Sequence, residues 1–362
     1  MKRMLVGYIQ DGKHSGIDKY LLSLCQVAHD EGVTLDFLTD AVTEDMEKHL
    51  TTMGFGLMPV PSLKNPLAQY RAIKEILAKG QYDGAYFNIS EGFNCMGVLA
   101  ARKMKIPHRL VHSHSAGVDR ANSKVRFVRT LLNAMARPVV SRAATKRYAC
   151  STVAGKWLFN RDFEIIYNAV DKSRFDFDPA LRESTREALG LKEEKVFIHI
   201  GNFCYVKNQF FLMDVMAAVL RREPEAVLLA VGIGDDLEAV QAYAAKLGID
   251  KQVQFLGVRS DVPALLCGAD MLLFPSRFEG LGIACVEAQL SGLPCILSTG
   301  VPAEVQITPR VTFLPPDNPE VWAEKALAEP GERLPAELKE SDLQKYDIAN
   351  QKEQLRAVLK GE

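Results

Sequence analysis

The segment from residue 271 to residue 297 constrains this chain more than any other. Met271-Leu272-Leu273-Phe274 is a short apolar run of the kind that fills a parallel sheet buried on both faces, and Leu293-Pro294-Cys295-Ile296-Leu297 leads into a second. Between them lie a turn holding Gly280 and Gly282 and a largely apolar helix carrying Ala284, Val286, Ala288 and Leu290. Strand, turn, helix and strand in so short a span point to an α/β sheet with parallel crossovers. The two glycines can take backbone angles closed to other residues, and they leave the amide N–H groups at the helix start, those of Leu281 and Ile283 among them, open to a ligand. Amides so placed attract phosphate.

Two carboxylates bracket that helix start, Glu279 in the turn and Glu287 within the helix. Glu287 sits among Ala284, Val286, Ala288 and Leu290, where an unpaired acid is costly and needs donors. A carboxylate can accept from both hydroxyls of a ribose. Glu279, beside the glycines, is placed for sugar hydroxyls next to phosphates. The alternative is a capping Glu279 and a structural ion pair at Glu287.

The order Pro275-Ser276-x-x-Glu279-Gly280-x-Gly282, then Glu287-Ala288, then Ser291-Gly292-x-Pro294 resembles the donor-binding signature of the retaining glycosyltransferases of family four, among them bacterial capsular and exopolysaccharide enzymes. The fold this resemblance implies is GT-B: two doubly wound Rossmann-like domains facing each other across a cleft. It also implies that Glu279 meets the transferred sugar and Glu287 the ribose of a nucleotide sugar.

A chain of 362 residues exceeds one ordinary domain, and 48% hydrophobic with 25% charged residues describes a globular protein. A net charge of -1 gives no sign of bulk nucleic-acid binding. No apolar run reaches the roughly 18 residues of a membrane span, and the apolar stretch 4–9 is short for a signal peptide, so the cytoplasm is the expected location. Seven scattered cysteines without CxxC spacing read as buried thiols.

The first half alternates strands expected over 4–9, 34–39, 57–60, 84–88 and 109–112 with helices over 16–30, 66–79 and 92–103. Ligands gather after such strands. Ser15-Gly16 follows the first, where the family carries a glycine pair bordering acceptor and diphosphate; only Gly16 matches, and a plain surface loop is the other reading. His112 and His114 follow the strand at 109–112 and share a face of extended chain, with no third metal ligand near. A structural role is common for such histidines; the resemblance implies that one contacts the transferred sugar, and His114 is preferred over His112. Residues 123–147 read as a helix with an apolar stripe and a cationic flank (Lys124, Arg126, Arg129, Arg137, Arg142, Lys146, Arg147), suited to an anionic membrane surface at the inner face or to a packed stripe under solvated charges. Residues 165–171 resemble the family's closing strand of the first domain.

The alternation then restarts, with strands over 196–200, 226–231 and 253–256 and helices over 209–220 and 237–247. Domains are expected at 1–175 (acceptor side) and 176–345 (donor side), with the terminal helix, within 346–362, crossing back. After the strand at 196–200, Lys207 offers a point charge to a diphosphate, and matches a family lysine. The companion arginine is replaced by Asn202, so one phosphate contact is neutral or absent. Gly232-Ile233-Gly234 reads as an ordinary turn, because Leu237 stands where a dinucleotide fingerprint needs a third small residue. Arg259 lies in 256–262, which matches the family segment along the nucleotide base. Asp176-Phe177-Asp178 is the lone Asp-x-Asp and falls at the domain linker, so no metal and no cofactor are expected.

The resemblance implies a retaining hexosyltransferase using a nucleoside-diphosphate sugar, with UDP foremost, and a glycan or lipid-linked acceptor. Its leaving phosphate would take the acceptor's proton, since no protein nucleophile or general base stands out. A nucleotide-sugar epimerase of similar fold and a binding protein without turnover are the alternatives.

Overall fold

The computed structural model describes residues 1–9, 16–40, 43–329, 338 and 340–361. Ser15 lies outside them. The chain divides into two compact units: Met1–Val118 with Asn122–Ala169 and Ile348–Glu362, and Asp119–Ala121 with Val170–Asp347.

In the first unit the strands are β1 (Arg3–Gly7), β2 (Thr34–Thr39), β3 (Gly56–Pro59), β4 (Gly84–Ile89), β5 (His108–Ser113), β6 (Lys146–Ala149) and β7 (Glu164–Ile165). They form one parallel sheet in the order β3-β2-β1-β4-β5-β6-β7. The helices between them are α1 (Gly16–Asp30), α2 (Glu44–Thr52), α3 (Pro66–Lys79), α4 (Met96–Lys103), α5 (Ser123–Ala143) and α6 (Thr152–Leu158). Tyr20, Leu21, Leu24 and Val27 of α1 are buried against Met4, Val6, Leu35 and Phe37, as the helical spacing of the four requires. Asn65, with Pro66 behind it, starts α3 by accepting from the Ala68 amide.

Contacts made elsewhere in the chain cut back several expected elements. The helix expected over 92–103 begins at Met96, because the Gly92 amide is held by Asn133 Oδ1 at 2.5 Å and keeps the chain in a turn. The helix expected to reach 147 stops at Ala143, since Lys146–Ala149 pair with β5 instead. The strand expected over 165–171 pairs with β6 only at Glu164–Ile165, and Val170 bridges Asp347.

In the second unit α7 (Pro179–Ala188) leads into β8 (Val196–Ile200), α8 (Gln209–Leu220), β9 (Val227–Val231), α9 (Leu237–Leu247), β10 (Val253–Gly257), α10 (Val262–Gly268), β11 (Met271–Phe274), α11 (Ile283–Leu290), β12 (Cys295–Ser298), β13 (Val311–Leu314), α12 (Pro319–Ala328) and α13 (Glu340–Tyr346). The parallel order is β10-β9-β8-β11-β12-β13. The chain winds outward from β8 in one direction and from β11 in the other, so the β8/β11 junction is where crossovers reverse and the following loops part. Helix α8 is apolar nearly all round, burying Leu212, Met213, Val215, Met216 and Val219 in the core with Trp322. Asp178 caps α7, its Oδ1 accepting from the amides of Ala180 at 2.8 Å and Leu181 at 3.3 Å, which gives this Asp-x-Asp member a structural task.

The last helix, α14 (Ile348–Lys360), returns to the first unit. Leu355, Val358 and Leu359 join the core beside α1, and Gln351 donates to the Tyr167 carbonyl at 2.8 Å. Among the described residues no helix is long and apolar enough to cross a membrane. All seven cysteines are free thiols and all but Cys204 are buried.

His199 in β8 is fully buried, with Nδ1 donating to the Leu273 carbonyl at 3.0 Å and Nε2 facing Gln209 Nε2 at 3.3 Å. Burial pushes its pKa from 6.5 down to about 4, with Lys207 adding to the fall and the Leu273 bond opposing it. The folded chain therefore resists the proton that the unfolded chain takes up, and stability present above pH 6.5 is lost as pH falls toward 4. The single group accounts for roughly 3 kcal/mol. Melting temperatures taken across that window should fall less steeply for His199→Gln than for the parent; parallel slopes refute the assignment.

Candidate functional site

The loops after β8 and β11 meet at the reversal point. From β8 the chain runs through Gly201 to a single 3-10 turn, Tyr205–Lys207, and Asn208 takes a left-handed conformation, φ 58°, to open α8. From β11 it runs through 275–281 to Gly282, whose φ of 87° and ψ of 54° open α11 without a side-chain cap. The Arg277 amide donates to the Val206 carbonyl at 2.7 Å, joining the loops, and the Arg277 guanidinium lies 4.7 Å from the centre of the Tyr205 ring.

Across this junction Lys207 Nζ contacts Glu279 Oε1 at 2.6 Å. Both side chains are mostly buried, and Nζ also sits 4.6 Å from the centre of the Phe274 ring. Burial alone would lower the lysine's pKa; the charge of Glu279 and its hydrogen bond overcome that and hold it above the usual lysine value. Lys207 is thus a retained cation in a sheltered place. The Cys285 thiol of α11, buried and raised well above 9 first by burial and then by Cys295, feels Glu279, Lys207 and Glu287 together.

Backbone packing holds the junction. The Glu279 amide donates to the Gly300 carbonyl at 3.1 Å, and the Ser298 hydroxyl donates to the Ser276 carbonyl. The Gly232-Ile233-Gly234 turn packs against the loop after β8: a Cβ on Gly232 would lie 2.2 Å from the Gly201 carbonyl oxygen and one on Gly234 2.3 Å from that of Phe203. Gly201 and Phe203 donate in turn to the Val231 and Ile233 carbonyls at 2.9 and 2.8 Å. The sequence reading missed this task of the two glycines; the signal was their place after the strand neighbouring β8.

Leu281 buries its side chain, so its backbone is what it can offer a ligand; Gly280 stands before it and Ile283 is the first residue of α11. Glu287 is half-buried on α11. Asn202 exposes its side chain while its carbonyl accepts from Gln209 at 2.9 Å. Arg259 is not drawn to the pair: it follows edge strand β10 and grips Asp261 through Nε at 2.7 Å and Nη2 at 2.5 Å.

Residues 182–329, which include this whole junction, match the family model "Glycosyl transferases group 1". The "Putative glycosyltransferase EpsF" of Bacillus subtilis (strain 168) is 29% identical over 329 residues, 85% of this chain and 83% of that one. The "UDP-Gal:alpha-D-GlcNAc-diphosphoundecaprenol alpha-1,3-galactosyltransferase" of Escherichia coli is 26% identical, covering 75% of this chain and 70% of its own. Anabaena Alr3699/HepE, solved in complex with UDP-glucose, superposes with a TM-score of 0.78 over 99% of both chains at 20% identity. The chain is a GT-B glycosyltransferase.

In the first unit of the glycosyltransferase, His112 and His114 stack at 4.1 Å between ring centres. His112 is fully buried, its Nδ1 bound to Tyr86 Oη at 2.7 Å, and Tyr86 meets Tyr20 at 2.7 Å. Burial, then His114, lowers its pKa well below 6.5 against an opposing backbone bond at Ala149, so the ring is neutral and core-like. His114 is half-buried, with burial pushing it down to about 3. Its Nε2 lies 2.8 Å from Asn88 Oδ1, and Asn88 Nδ2 is spent on the Gly7 carbonyl at 3.0 Å. The oxygen must accept, so Nε2 carries the proton and Nδ1 keeps its lone pair. Gly16 is the first residue of α1.

Proposed function

We propose that the glycosyltransferase moves a hexose from a UDP-sugar to a glycan or lipid-linked acceptor with retention of anomeric configuration, in polysaccharide or glycolipid assembly. The Lys207–Glu279 pair at the β8/β11 reversal, beside the uncapped start of α11, carries this reading. Departure of a nucleoside diphosphate puts negative charge on phosphate oxygens, and a sheltered cation with fixed amides is what stabilises it. We assign Lys207 and the backbone of Gly280, Leu281, Gly282 and Ile283 to the diphosphate, Glu279 to the sugar hydroxyls and Glu287 to the ribose. Asn202 would add a neutral contact and Arg259 would border the base. The UDP-glucose bound by the structural neighbour and the UDP-galactose named for the Escherichia coli relative favour uridine. The diphosphoundecaprenol in that relative's name favours a lipid-linked acceptor.

His114, whose ring is half-buried, is assigned to a hydroxyl of the transferred sugar. The acceptor is assigned to Ser15 and Gly16; His112, fully buried, is withdrawn from it. In this reading Lys207 does the work a metal would otherwise do, and transfer is expected to persist in EDTA.

The test is thermal shift with UDP, GDP and ADP, followed by NMR of the product made from the best UDP-sugar. A base in hundredfold excess over its Kd adds about 2.7 kcal/mol, so UDP should raise Tm by several degrees while the others do little. An α-linked product from an α-linked donor supports retention; inversion, or a shift by GDP alone, refutes the corresponding half.

A further inference from the structure

The charge at the β8/β11 junction falls short of what a diphosphate needs. Lys207 is matched by Glu279 at 2.6 Å, so the pair taken together is neutral. Asp119 adds a further acid on the same turn, its Oδ1 accepting from the Val206 amide at 3.2 Å. A multiply charged phosphate entering so balanced a place loses hydration for little net attraction. A second cation would reverse that. Among the described residues of the two loops, 201–208 and 275–282, the cations are Lys207 and Arg277.

Arg277 is exposed, and its guanidinium pairs with no carboxylate among the described residues. It is held at both ends all the same. Its amide donates to the Val206 carbonyl at 2.7 Å, and its guanidinium lies 4.7 Å from the centre of the Tyr205 ring. Both contacts fall on the turn Tyr205–Lys207, and Arg277 precedes Glu279 in the facing loop. Stacking engages the face of a guanidinium and leaves its in-plane N–H groups for an acceptor. Planar donors on a restrained arm suit phosphate oxygens, which they grip two at a time. Arg259 offers no such group, because Asp261 takes its Nε and Nη2.

We propose that Arg277 is the second cation of the diphosphate site, closing on phosphate oxygens through the N–H groups that the Tyr205 ring does not engage. This rests on the assignment of a nucleoside diphosphate to the junction, and the test separates the two. The full chain and its variants Arg277→Gln and Arg277→Lys are titrated in EDTA with UDP by calorimetry, and with uridine, which has no phosphate, by saturation-transfer NMR. Arg277→Gln should weaken UDP roughly 10- to 100-fold, the usual effect of losing a charge-assisted contact, and leave uridine unchanged. Arg277→Lys should recover part of the loss, since it restores the charge but not the planar fork. The arginine is exposed and ties the loops through its backbone amide, so Arg277→Gln without ligand should melt as the parent does. Equal UDP affinity in parent and Arg277→Gln overturns this proposal alone. An equal loss for UDP and uridine also overturns it, because that reports a displaced loop rather than a missing charge. A parent that binds UDP no better than uridine removes the diphosphate from the junction, and this proposal with it.

Discussion

Replacing Lys207 by methionine should lower kcat roughly 100- to 1,000-fold, the loss seen when one preorganised donor leaves a sheltered site. Methionine keeps the apolar stem and removes the charge, so the fold around Phe274 stays filled. The loss should fall on kcat more than on KM, because the charge on the diphosphate grows as the sugar departs. Glu279 supplies an independent reading of the same pair. In Glu279→Gln the lysine keeps its burial, the largest influence on its pKa and a lowering one, and loses the charge that overcomes it. Its pKa must then fall, and the variant's kcat should decline on the alkaline side at a lower pH than the parent's. Parent-like rates in Lys207→Met, or superimposable pH profiles for Glu279→Gln, would remove the pair from the mechanism.

The second unit was legible in sequence almost to the residue. The expected ranges 196–200, 209–220, 237–247 and 271–274 coincide with β8, α8, α9 and β11. The cause is physical: strands flanked by helices on both faces are apolar without interruption, and their loops are short and glycine-marked, so period and punctuation agree. The first unit blurred where tertiary contacts overrode local preference. The helix expected from 92 starts later because Gly92, Phe93, Asn94 and Cys95 are weak helix formers and Asn133, far along the chain, holds Gly92 in a turn. Residues 144–147 continue a helical pattern, but sheet pairing with β5 claims Lys146 and Arg147.

For the site, sequence could nominate Lys207 and Glu279 but not their 2.6 Å contact, because their sequence separation of 72 is closed only by the reversal of crossovers at β8/β11. The two histidines, of which the resemblance favoured His114, differ in the structure: His112 is sealed among tyrosines, and His114 has a fixed tautomer and a half-buried ring. Nor could composition tell that the apolar stripe of 123–143 faces outward. A helix's period reports that it has two sides, and only its neighbours report which side they cover.

Gly300→Ala should be among the most damaging small changes in the second unit. A Cβ there would stand 2.2 Å from the Arg277 carbonyl oxygen, 2.6 Å from its carbon and 3.0 Å from the Ser276 oxygen, all backbone atoms that no rotamer change can move. The loop of 275–282 must shift, and with it the Glu279 amide now bound to the Gly300 carbonyl and the carboxylate aimed at Lys207. Overpacking of this kind costs about 3 kcal/mol, and a displacement of about 1 Å at a catalytic group costs about 100-fold in rate. Gly190→Ala is the control: Gly190 has φ +69° with open space at its Cβ, so it should lose about 1 kcal/mol of stability through backbone strain and keep its kcat. Differential scanning calorimetry and initial rates on the two variants separate the effects. Equal losses of rate would mean that general destabilisation, rather than the position of Glu279, limits transfer; a fully active Gly300→Ala would show that the loop has room the backbone does not reveal.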